Sequence, residues 1–301
     1  VAAKQPPKNV KVLAILRLRK NRIQAQLFRI IEFYTDQGYL VTVYPTKAAG
    51  DGYDCIKNMS KDFDLIVCSG GDGTLNEIVS GILDGGKNTA IGYIPSGSTN
   101  DFGKSAGIPM DTEEAMEISC FGEPEEFDIG RLNNRYFVYV AAFGAFTKVS
   151  YTTPQKMKNV LGYLAYVLLG IKELSELRAY NMMIEYDHKK VEGEFIIGLI
   201  MNSFSIGGFK NPIGGLTELN DGMFEGILIR MPQNLMEFQE IVAALIGNQD
   251  DSKLVIRFQA AYIHIQSEPI EWTVDGEYGG CYEEATIENL NRAVKVFVKG
   301  N

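Results

Sequence analysis

The sequence predicts a doubly wound α/β domain followed by a β-sandwich, and three observations support this fold class. The chain has 301 residues, of which 46% are apolar and 22% charged, so it is long enough for two medium-sized cores. Its first third alternates short apolar runs with amphipathic segments, as βαβ units do. From about residue 125 onward the period changes to that of repeated short strands.

The continuous apolar runs of the first domain predict parallel strands covered by helices on both faces. The amphipathic segment after the first strand has Gly38 where a helix C-terminal stop is expected. In sheets of this kind, ligands gather at the carboxyl ends of the strands. The predicted strands are Val10–Leu16, Leu40–Tyr44, Leu65–Cys68 and Ala90–Ile94, and the first predicted helix is Ile23–Thr35.

The second part of the chain predicts a mostly antiparallel β-sandwich interrupted by two helices. The boundary near residue 130 rests on the change of period alone. The helices are predicted at Lys156–Leu177 and Leu235–Ile246. The predicted strands are Phe127–Leu132, Tyr136–Phe143, Asn181–Tyr186, Glu194–Met201, Phe224–Arg230, Leu254–Phe258, Ala260–Ser267 and Ile270–Val274.

Net charge and cysteine spacing indicate which classes of protein this chain can belong to. The formal net charge of -9 argues against a protein that coats nucleic acid, and metal-dependent chemistry suits it better. Cys55, Cys68, Cys120 and Cys281 lie far apart without a CxxC pair, which predicts a reduced, cytoplasmic protein. The longest apolar stretch, Val160–Ile171, is too short to span a bilayer and predicts a buried helix, with a lipid-contacting helix as the alternative.

The strongest chemical signal is the run Gly70-Gly71-Asp72-Gly73-Thr74-Leu75-Asn76-Glu77, which follows a strand and opens a helix. Consecutive glycines let backbone N–H groups approach an anion, and a helix N-terminus adds partial positive charge. Asp72 cannot itself serve an anion, so Mg²⁺ between carboxylate and phosphates is implied. A purely helical role is the alternative for Thr74 and Glu77, because they have capping-box spacing.

A second polar loop, Pro95-Ser96-Gly97-Ser98-Thr99-Asn100-Asp101-Phe102, follows the next strand at the equivalent place. It supplies hydroxyls, an amide and another carboxylate. An isolated cluster of this kind is more often an ordinary Asx- or ST-turn. Two such loops after adjacent strands favour a metal–nucleotide site.

These two loops, together with Asp128-Ile129-Gly130 and Val274-Asp275-Gly276-Glu277, resemble the ordered signatures of the soluble bacterial diacylglycerol kinase family, whose catalytic fold sphingosine kinases share. The similarity extends through Tyr136–Lys148, Ser203–Phe209 and Asn220-Asp221-Gly222, so it covers almost the entire chain. The resemblance implies a nucleotide-binding domain of residues 1–130, completed by about 285–301, and a lipid-substrate domain of residues 131–284. ATP is expected in the cleft between them.

The resemblance also implies roles for individual residues. Asp72, Asp101 and Asp128 would hold the active magnesium through water. Asp275 would be the general base beside Glu277, although locally Asp275-Gly276 is typical of a hairpin turn. The expected nucleotide contacts are Gly70, Gly71, Asp72, Gly73, Thr74, Asn76, Glu77, Gly97, Ser98, Thr99 and Asn100.

A second, structural magnesium is implied at Asp221, with backbone carbonyls near Glu218 and Met223, and an ordinary Asp-Gly turn competes with it. His188 and His264 have no nearby metal-ligand partners and need only surface or structural roles. Ser98 replaces a threonine common in the family and keeps the hydroxyl.

The sequence departs from the family after its first strand. Many relatives carry an Asn-Pro-x-Ser-Gly loop there, whereas this chain has Leu16-Arg17-Leu18-Arg19-Lys20-Asn21-Arg22. Its four basic residues are candidates for contact with nucleotide phosphates or anionic lipid head groups, and a solvated charged loop is the alternative.

The resulting hypothesis is an ATP- and Mg²⁺-dependent lipid kinase that acts on diacylglycerol or a related lipid alcohol. It would be cytoplasmic, with transient contact at the inner face of the membrane and no nucleic-acid partner; a homodimer stays open. The alternatives are an NAD kinase, which also uses a Gly-Gly-Asp-Gly loop, and a catalytically silent nucleotide- or lipid-binding protein on the same scaffold.

Overall fold

The structure is a computed structural model that describes residues 10–17, 23–85, 87–144, 168, 177–202, 205–206, 209–210, 219–247 and 252–300. The chain divides into two compact units. The first comprises Val1–Phe127 with Arg292–Asn301, and the second comprises Asp128–Asn291. Among the described residues, no helix is both long and apolar enough to cross a membrane.

The first unit is built from alternating strands and helices. Its helix α1 ends as the sequence predicts: Gly38 has φ 85° and Tyr39 N donates to Tyr34 O at 3.0 Å, which is a Schellman-type stop. The elements are β1 (Lys11–Arg17), α1 (Ile23–Asp36), β2 (Leu40–Thr46), α2 (Asp51–Met59), a 3-10 turn (Ser60–Asp62), β3 (Leu65–Gly70), α3 (Asp72–Gly85), β4 (Ala90–Pro95), α4 (Asp101–Ser105), α5 (Thr112–Phe121) and β5 (Glu123–Leu132), which continues into the second unit.

The sheet of the first unit is parallel, as predicted. Strand β1 pairs with both β2 and β3, and β3 pairs with β4, each in parallel register. Residues 292–298 at the end of the chain add a further parallel strand, since Val296 pairs with Ile91 of β4. The helices α2 and α3 pack together, while α1 contacts α5 through Tyr34 and Ser119. The carboxyl ends of β2, β3 and β4 lie at one edge of this sheet.

The second unit is antiparallel in every strand pair that the structure describes, which confirms a β-rich second part. Its elements, with the end of β5, are β6 (Arg135–Phe137), β7 (Val140–Gly144), β8 (Tyr180–Tyr186), β9 (Lys189–Met201), β10 (Ser205–Ile206), β11 (Phe209–Lys210), β12 (Phe224–Arg230), α6 (Leu235–Gly247), β13 (Val255–Ala260), β14 (Tyr262–Val274) and β15 (Glu277–Val298).

Two long strands of the second unit, β9 and β14, each pair with both β7 and β8. The first half of β9 pairs with β8 and its second half with β7, and β14 divides its pairing between β8 and β7 in the same way. The pairs β7–β9–β8–β14–β7 therefore form a closed circuit. Alternate residues of β7, β9 and β12 face two different cores, so these strands are buried on both sides. Helix α6 covers one core with Phe238, Ile241, Ala244 and Leu245.

Several predicted boundaries were wrong for identifiable reasons. The predicted strands Ala260–Ser267 and Ile270–Val274 are one strand, β14, with a register shift between Gln266 and Ile270 around a proline that cannot donate to the ladder. The predicted strand Tyr136–Phe143 is split, because a side-chain carboxylate binds the backbone N–H groups of residues 138–140. The sequence reading did not predict α2, α4 or α5, and it gave no bounds for β15, although the hairpin turn at Asp275-Gly276 implied a strand there.

The predicted helix Lys156–Leu177 lies mostly outside the described residues. Of that segment the structure describes only Leu168, which is helical, and Leu177, and both are buried in the core that α6 covers. The basic run 18–22 and Glu218 also lie outside the described residues.

Candidate functional site

Two loops lie against each other at the carboxyl edge of the parallel sheet. Gly70 pairs with Pro95 in the β3–β4 register, and Ser96 N donates to Gly70 O at 2.8 Å. A Cβ built on Gly97 would lie 2.5 Å from the Cα of Gly71, so the backbones approach too closely for a side chain at Gly97. The two loops that the sequence predicts at neighbouring strand ends are therefore in contact.

The side chain of Asn100 holds the second loop closed through two hydrogen bonds to the backbone of Gly97. Its Oδ1 accepts from Gly97 N at 2.9 Å and its Nδ2 donates to Gly97 O at 3.3 Å. Asn100 is buried and left-handed, with φ 52° and ψ 53°, a conformation that asparagine tolerates better than most residues. These bonds reach three residues back along the chain rather than two residues on, so they do not form the Asx-turn that was the alternative, and Asn100 serves as the scaffold of the loop.

Asp72 and Thr99 connect the two loops through side chains. Thr99 Oγ1 donates to Asp72 Oδ2 at 3.1 Å, and Phe102 N donates to Asp72 Oδ1 at 3.3 Å. Asp72 is 7% exposed, and Asp101, one residue before Phe102, is fully buried. The structure therefore brings two of the three predicted magnesium-site carboxylates into one unit, and the second loop fixes Asp72 through both of its carboxylate oxygens.

Tyr93 on β4 is a residue that sequence reasoning missed. Its hydroxyl donates to Asn100 Oδ1 at 3.4 Å from beneath the second loop. Burial raises the pKa of Tyr93 well above its ordinary value, and the nearby charges of Asp72 and Asp101 raise it further. Burial, with Asp72 and Glu77, also raises the pKa of the Cys68 thiol. Burial is the main cause of both pKa shifts, and the carboxylates at this edge make a smaller contribution in the same direction.

The capping-box alternative for Thr74 and Glu77 is wrong. Helix α3 begins at Asp72, and the Glu77 carboxylate turns away from it to α2: Oε1 accepts from Gly50 N at 2.9 Å and Oε2 from Gly52 N at 3.0 Å. Thr74 is buried over Gly70, where a Cβ would lie 2.5 Å from that of Thr74. Asn76 is half-buried and accepts from Ser80 Oγ at 3.4 Å.

In the second unit, Asp275 occupies the tip of the β14–β15 hairpin. Asp275 and Gly276 have φ 47° and 83°, so the predicted two-residue turn is present. The carboxylate nevertheless points inward, where Oδ2 accepts from Val138 N at 2.7 Å and Oδ1 from Tyr139 N at 3.0 Å and Val140 N at 3.1 Å. The neighbouring Glu277 is exposed on the first residue of β15.

Asp128 is fully buried and is held from two directions. Its Oδ2 accepts from Gly222 N at 2.6 Å and its Oδ1 from Asn291 Nδ2 at 3.0 Å. Asp221 is exposed, and its Oδ1 accepts from Met223 N at 2.9 Å, which is an Asx-turn. The local turn that competed with a structural magnesium at Asp221 is therefore present.

Asn202 links the backbone at Asp128 to the segment of residues 138–140 that binds Asp275, and sequence reasoning missed it. Its backbone N donates to Tyr139 O at 2.9 Å and its Nδ2 donates to Asp128 O at 2.6 Å. Its side-chain oxygen is buried without a hydrogen-bond partner among the described residues. A lone asparagine carries no sequence signal for such a role, because its partners lie more than sixty residues away.

The predicted magnesium-site carboxylates fall in different units: Asp72 and Asp101 in the first, and Asp128 in the second, which also contains the predicted general base Asp275. Within the described ranges, no group of three His, Cys, Asp or Glu side chains has a metal-binding arrangement. His264 pairs with Glu284 across β14 and β15 at 2.8 Å, and His188 lies at the exposed tip of the β8–β9 hairpin, so structural and surface roles account for both.

Comparison with known sequences identifies similar proteins. The sequence model of the diacylglycerol kinase catalytic domain matches residues 19–132. A diacylglycerol kinase of Bacillus subtilis (strain 168) is 36% identical over 274 residues, which are 90% of this chain and 89% of that protein. A diacylglycerol kinase of Staphylococcus epidermidis (strain ATCC 12228 / FDA PCI 1200) is also 36% identical, over 86% of this chain and 82% of that one.

The fold is likewise shared with solved structures. A crystal structure of a diacylglycerol kinase from Bacillus anthracis str. Sterne superimposes with a TM-score of 0.74 at 21% identity, covering 96% of this chain and 97% of that one. A further crystal structure from the same strain gives a TM-score of 0.80 at 21% identity and the same coverage. At this identity the likeness concerns the fold.

Proposed function

Because the chain belongs to the diacylglycerol kinase family of lipid kinases, we propose that it transfers the γ-phosphate of ATP to the hydroxyl of diacylglycerol or a related lipid. The observation that carries the proposal is the contact of two glycine-containing loops, joined by Asp72 and Thr99, at the carboxyl edge of a parallel sheet. In α/β sheets that edge is where ligands bind. We assign the nucleotide to the first unit and the lipid to the second, β-sandwich-type unit.

The first loop and the start of α3 fit a phosphate chain. Gly71 and Gly97 approach so closely that a Cβ would occupy the space between the loops, and the first amides of a helix have no intrahelical acceptors. Backbone N–H groups and the partial positive charge of the helix N-terminus would bind the phosphates. The contacts we propose are Gly70, Gly71, Gly73, Thr74, Asn76, Gly97, Ser98 and Thr99.

The donor set of this edge fits magnesium. Mg²⁺ is usually bound by one or two carboxylates together with waters and phosphate oxygens, so it needs no dense cluster of protein ligands. Asp72, Asp101 and Asp128 are the carboxylates we propose for it, directly or through water. When bound, the ion would neutralise charge on the phosphates during transfer. Asp221 and the carbonyls of residues 218 and 223 remain our proposal for a second, structural ion.

The acceptor hydroxyl needs a proton acceptor, and we propose Asp275 for that role. Three backbone N–H groups fix its carboxylate, which removes the reorganisation that a mobile side chain would require. The side chain is only 7% exposed, so few waters compete for it. As the lipid oxygen bonds to the γ-phosphorus, the bond from that phosphorus to the β,γ-bridging oxygen breaks, ADP leaves, and the hydroxyl proton would pass to Asp275. We propose Glu277, two residues away on the first residue of β15, as its neighbour in the catalytic site.

The decisive experiment incubates purified protein with γ-labelled ATP, Mg²⁺ and mixed micelles that contain diacylglycerol, phosphatidylglycerol or sphingosine, with NAD in a parallel reaction. We expect label in a lipid product, most of all with diacylglycerol presented at the micelle surface. Label in NAD alone would contradict the proposal, and nucleotide binding without any labelled product would favour a silent binding protein.

A further inference from the structure

We infer that Glu77 is a positioning residue, which holds the β2–α2 loop in place rather than touching the nucleotide. Glu77 belongs to the glycine-loop motif by sequence, yet both of its carboxylate oxygens are engaged by another helix. Oε1 accepts from Gly50 N at 2.9 Å and Oε2 from Gly52 N at 3.0 Å. A carboxylate with both oxygens hydrogen-bonded to the start of α2 holds the end of that helix in place.

Helix α2 depends on Glu77 because it has no cap of its own. Its N-cap residue is Gly50, with φ 90° and no side-chain cap. The first amides of a helix need acceptors, and a negative charge at that end also interacts favourably with the helix dipole. Glu77 supplies both from the neighbouring helix α3, with hydrogen bonds that are strengthened by its charge.

The residues around this contact leave space for the Glu77 carboxylate and hold the adjoining loop. A Cβ on Gly52 would lie 2.8 Å from Glu77 Oε2, so a glycine at this position lets the carboxylate reach the amides. On the other side of the loop, Asp51 Oδ2 accepts from Lys47 N at 2.7 Å and Ala48 N at 2.9 Å. The loop of residues 47–50 is therefore fixed at both ends.

This loop lies at the edge of the sheet where we place the nucleotide. Pro45 of β2 and Ser69 of β3 both pair with Leu16 of β1, so the two strands end level with each other. Glu77 thus ties the loop after β2 to the helix that follows the glycine loop. The functional part of the inference rests on the proposed function, since it assumes that ATP binds at this edge.

The test compares Glu77→Ala with Asp84→Asn. Asp84 Oδ2 accepts from Tyr53 Oη at 2.6 Å and so joins the same two helices, seven residues further along α3. We expect Glu77→Ala to raise KM for ATP about 10-fold, which corresponds to ~1.4 kcal/mol, with kcat changed much less. Asp84→Asn should leave KM unchanged. Glu77→Gln keeps one acceptor oxygen and should be intermediate.

A readout independent of catalysis is amide hydrogen exchange. Glu77→Ala should accelerate exchange in the peptide of residues 47–53 about 10-fold, whereas Asp84→Asn should leave that peptide protected. Unchanged protection in Glu77→Ala would overturn the inference even if the variant lost activity. Inactivity of the wild-type protein toward every lipid would instead count against the proposed function, and the exchange result would still stand.

A double-mutant cycle separates positioning from direct contact. Gly52→Ala displaces the Glu77 carboxylate without removing it, because the added Cβ meets the flexible end of that side chain. If Glu77 acts through α2, Gly52→Ala reproduces the KM effect of Glu77→Ala and the two effects are strongly non-additive. If Gly52→Ala left KM normal while Glu77→Ala raised it, Glu77 would contact the nucleotide and the inference would be wrong.

Discussion

The carboxylate of Asp275 lies at a hairpin tip and binds the backbone N–H groups of Val138, Tyr139 and Val140. A turn of the same kind joins β8 and β9, where Asp187 and His188 have φ 43° and 66°, but there the aspartate is exposed. The turn geometry therefore does not require an inward carboxylate. What distinguishes Asp275 is therefore the contact of its carboxylate with residues 138–140.

Asp275→Asn is the residue-scale test of the proton acceptor. We expect transfer to diacylglycerol to slow by about 10²- to 10⁴-fold, because the proton acceptor is removed, with ATP affinity retained. The new amide group also faces backbone donors, which we expect to lower the free energy of unfolding by about 1–3 kcal/mol. Titration calorimetry with ATP, initial rates and urea unfolding measure the three quantities.

Asp187→Asn is the matched control, since it makes the same change at the same turn position without an inward contact. It should leave rate and stability near those of the wild type. A folded Asp275→Asn variant with near-normal turnover would show that Asp275 is not the base.

Gly97→Ala tests the contact of the two loops. Its Cβ would lie 2.5 Å from Gly71 Cα and 2.6 Å from Asn100 Oδ1, so the loops must separate. We expect ATP affinity to fall about 10-fold or more, and stability to fall by about 1–3 kcal/mol from overpacking. Ser96→Ala is the control, because Ser96 is exposed and contacts Gly70 through its backbone. Equal ATP affinity in both variants would exclude this edge as the phosphate site.

At the scale of elements, helix α5 shows a local signal that can be tested apart from catalysis. It starts with Asp111 as N-cap, whose Oδ1 accepts from Glu113 N at 2.9 Å and Glu114 N at 3.1 Å. We expect Asp111→Ala to lower the free energy of unfolding by about 1 kcal/mol and Asp111→Asn to be nearly neutral. Urea denaturation checks both, and both variants should keep normal kinase rates. A neutral Asp111→Ala would mean that packing alone holds α5.

The strands of the second unit show where local rules fail. Strand β14 continues through Pro269 by means of a register shift, although proline usually ends a strand. Strand β15 runs for 22 residues and is long because its first part pairs with β14 and its last part with β4. Its length follows from pairing with strands in both units. A local hydrophobic pattern carries no information about such distant partners.

At the scale of the whole molecule, the first unit contains several thiol and phenol groups whose pKa values are raised by burial. Burial raises the pKa of Cys55 to about 11 and of Cys120 to about 12, and it also raises the pKa values of Cys68, Tyr34, Tyr39 and Tyr93. In the unfolded chain these groups lose protons at lower pH. The folded state is therefore the one that binds more protons in alkaline solution.

We expect the protein to unfold in alkaline solution, because loss of protons from these groups favours the unfolded state. The stabilisation is complete below pH 9.0, the ordinary thiol pKa, and is lost as pH rises through about 11 and 12. Unfolding monitored by circular dichroism should show this transition. Cys120→Ala should move its midpoint to higher pH, whereas Cys281→Ala, which alters an exposed thiol, should not. A midpoint unchanged by Cys120→Ala would contradict the assignment of this group.

The sequence by itself determined the elements whose cause is local: the apolar runs of the parallel strands, the stop at Gly38, the glycine loop that opens α3 and the Asp275-Gly276 turn. Period, φ preference and the spacing of small residues express these over a few neighbours. It also determined the family, because four ordered motifs are specific together. The roles proposed for the motif residues remain predictions.

Only the tertiary structure decided which partner each polar side chain has. Glu77 has capping-box spacing but binds α2, Asp275 is a turn residue but binds residues 138–140, and Asn202 has no motif at all. Each of these hydrogen bonds joins groups at least 25 residues apart in the chain. A carboxylate binds whichever donors the fold brings within about 3 Å, and that distance depends on the packing of the whole unit rather than on sequence spacing.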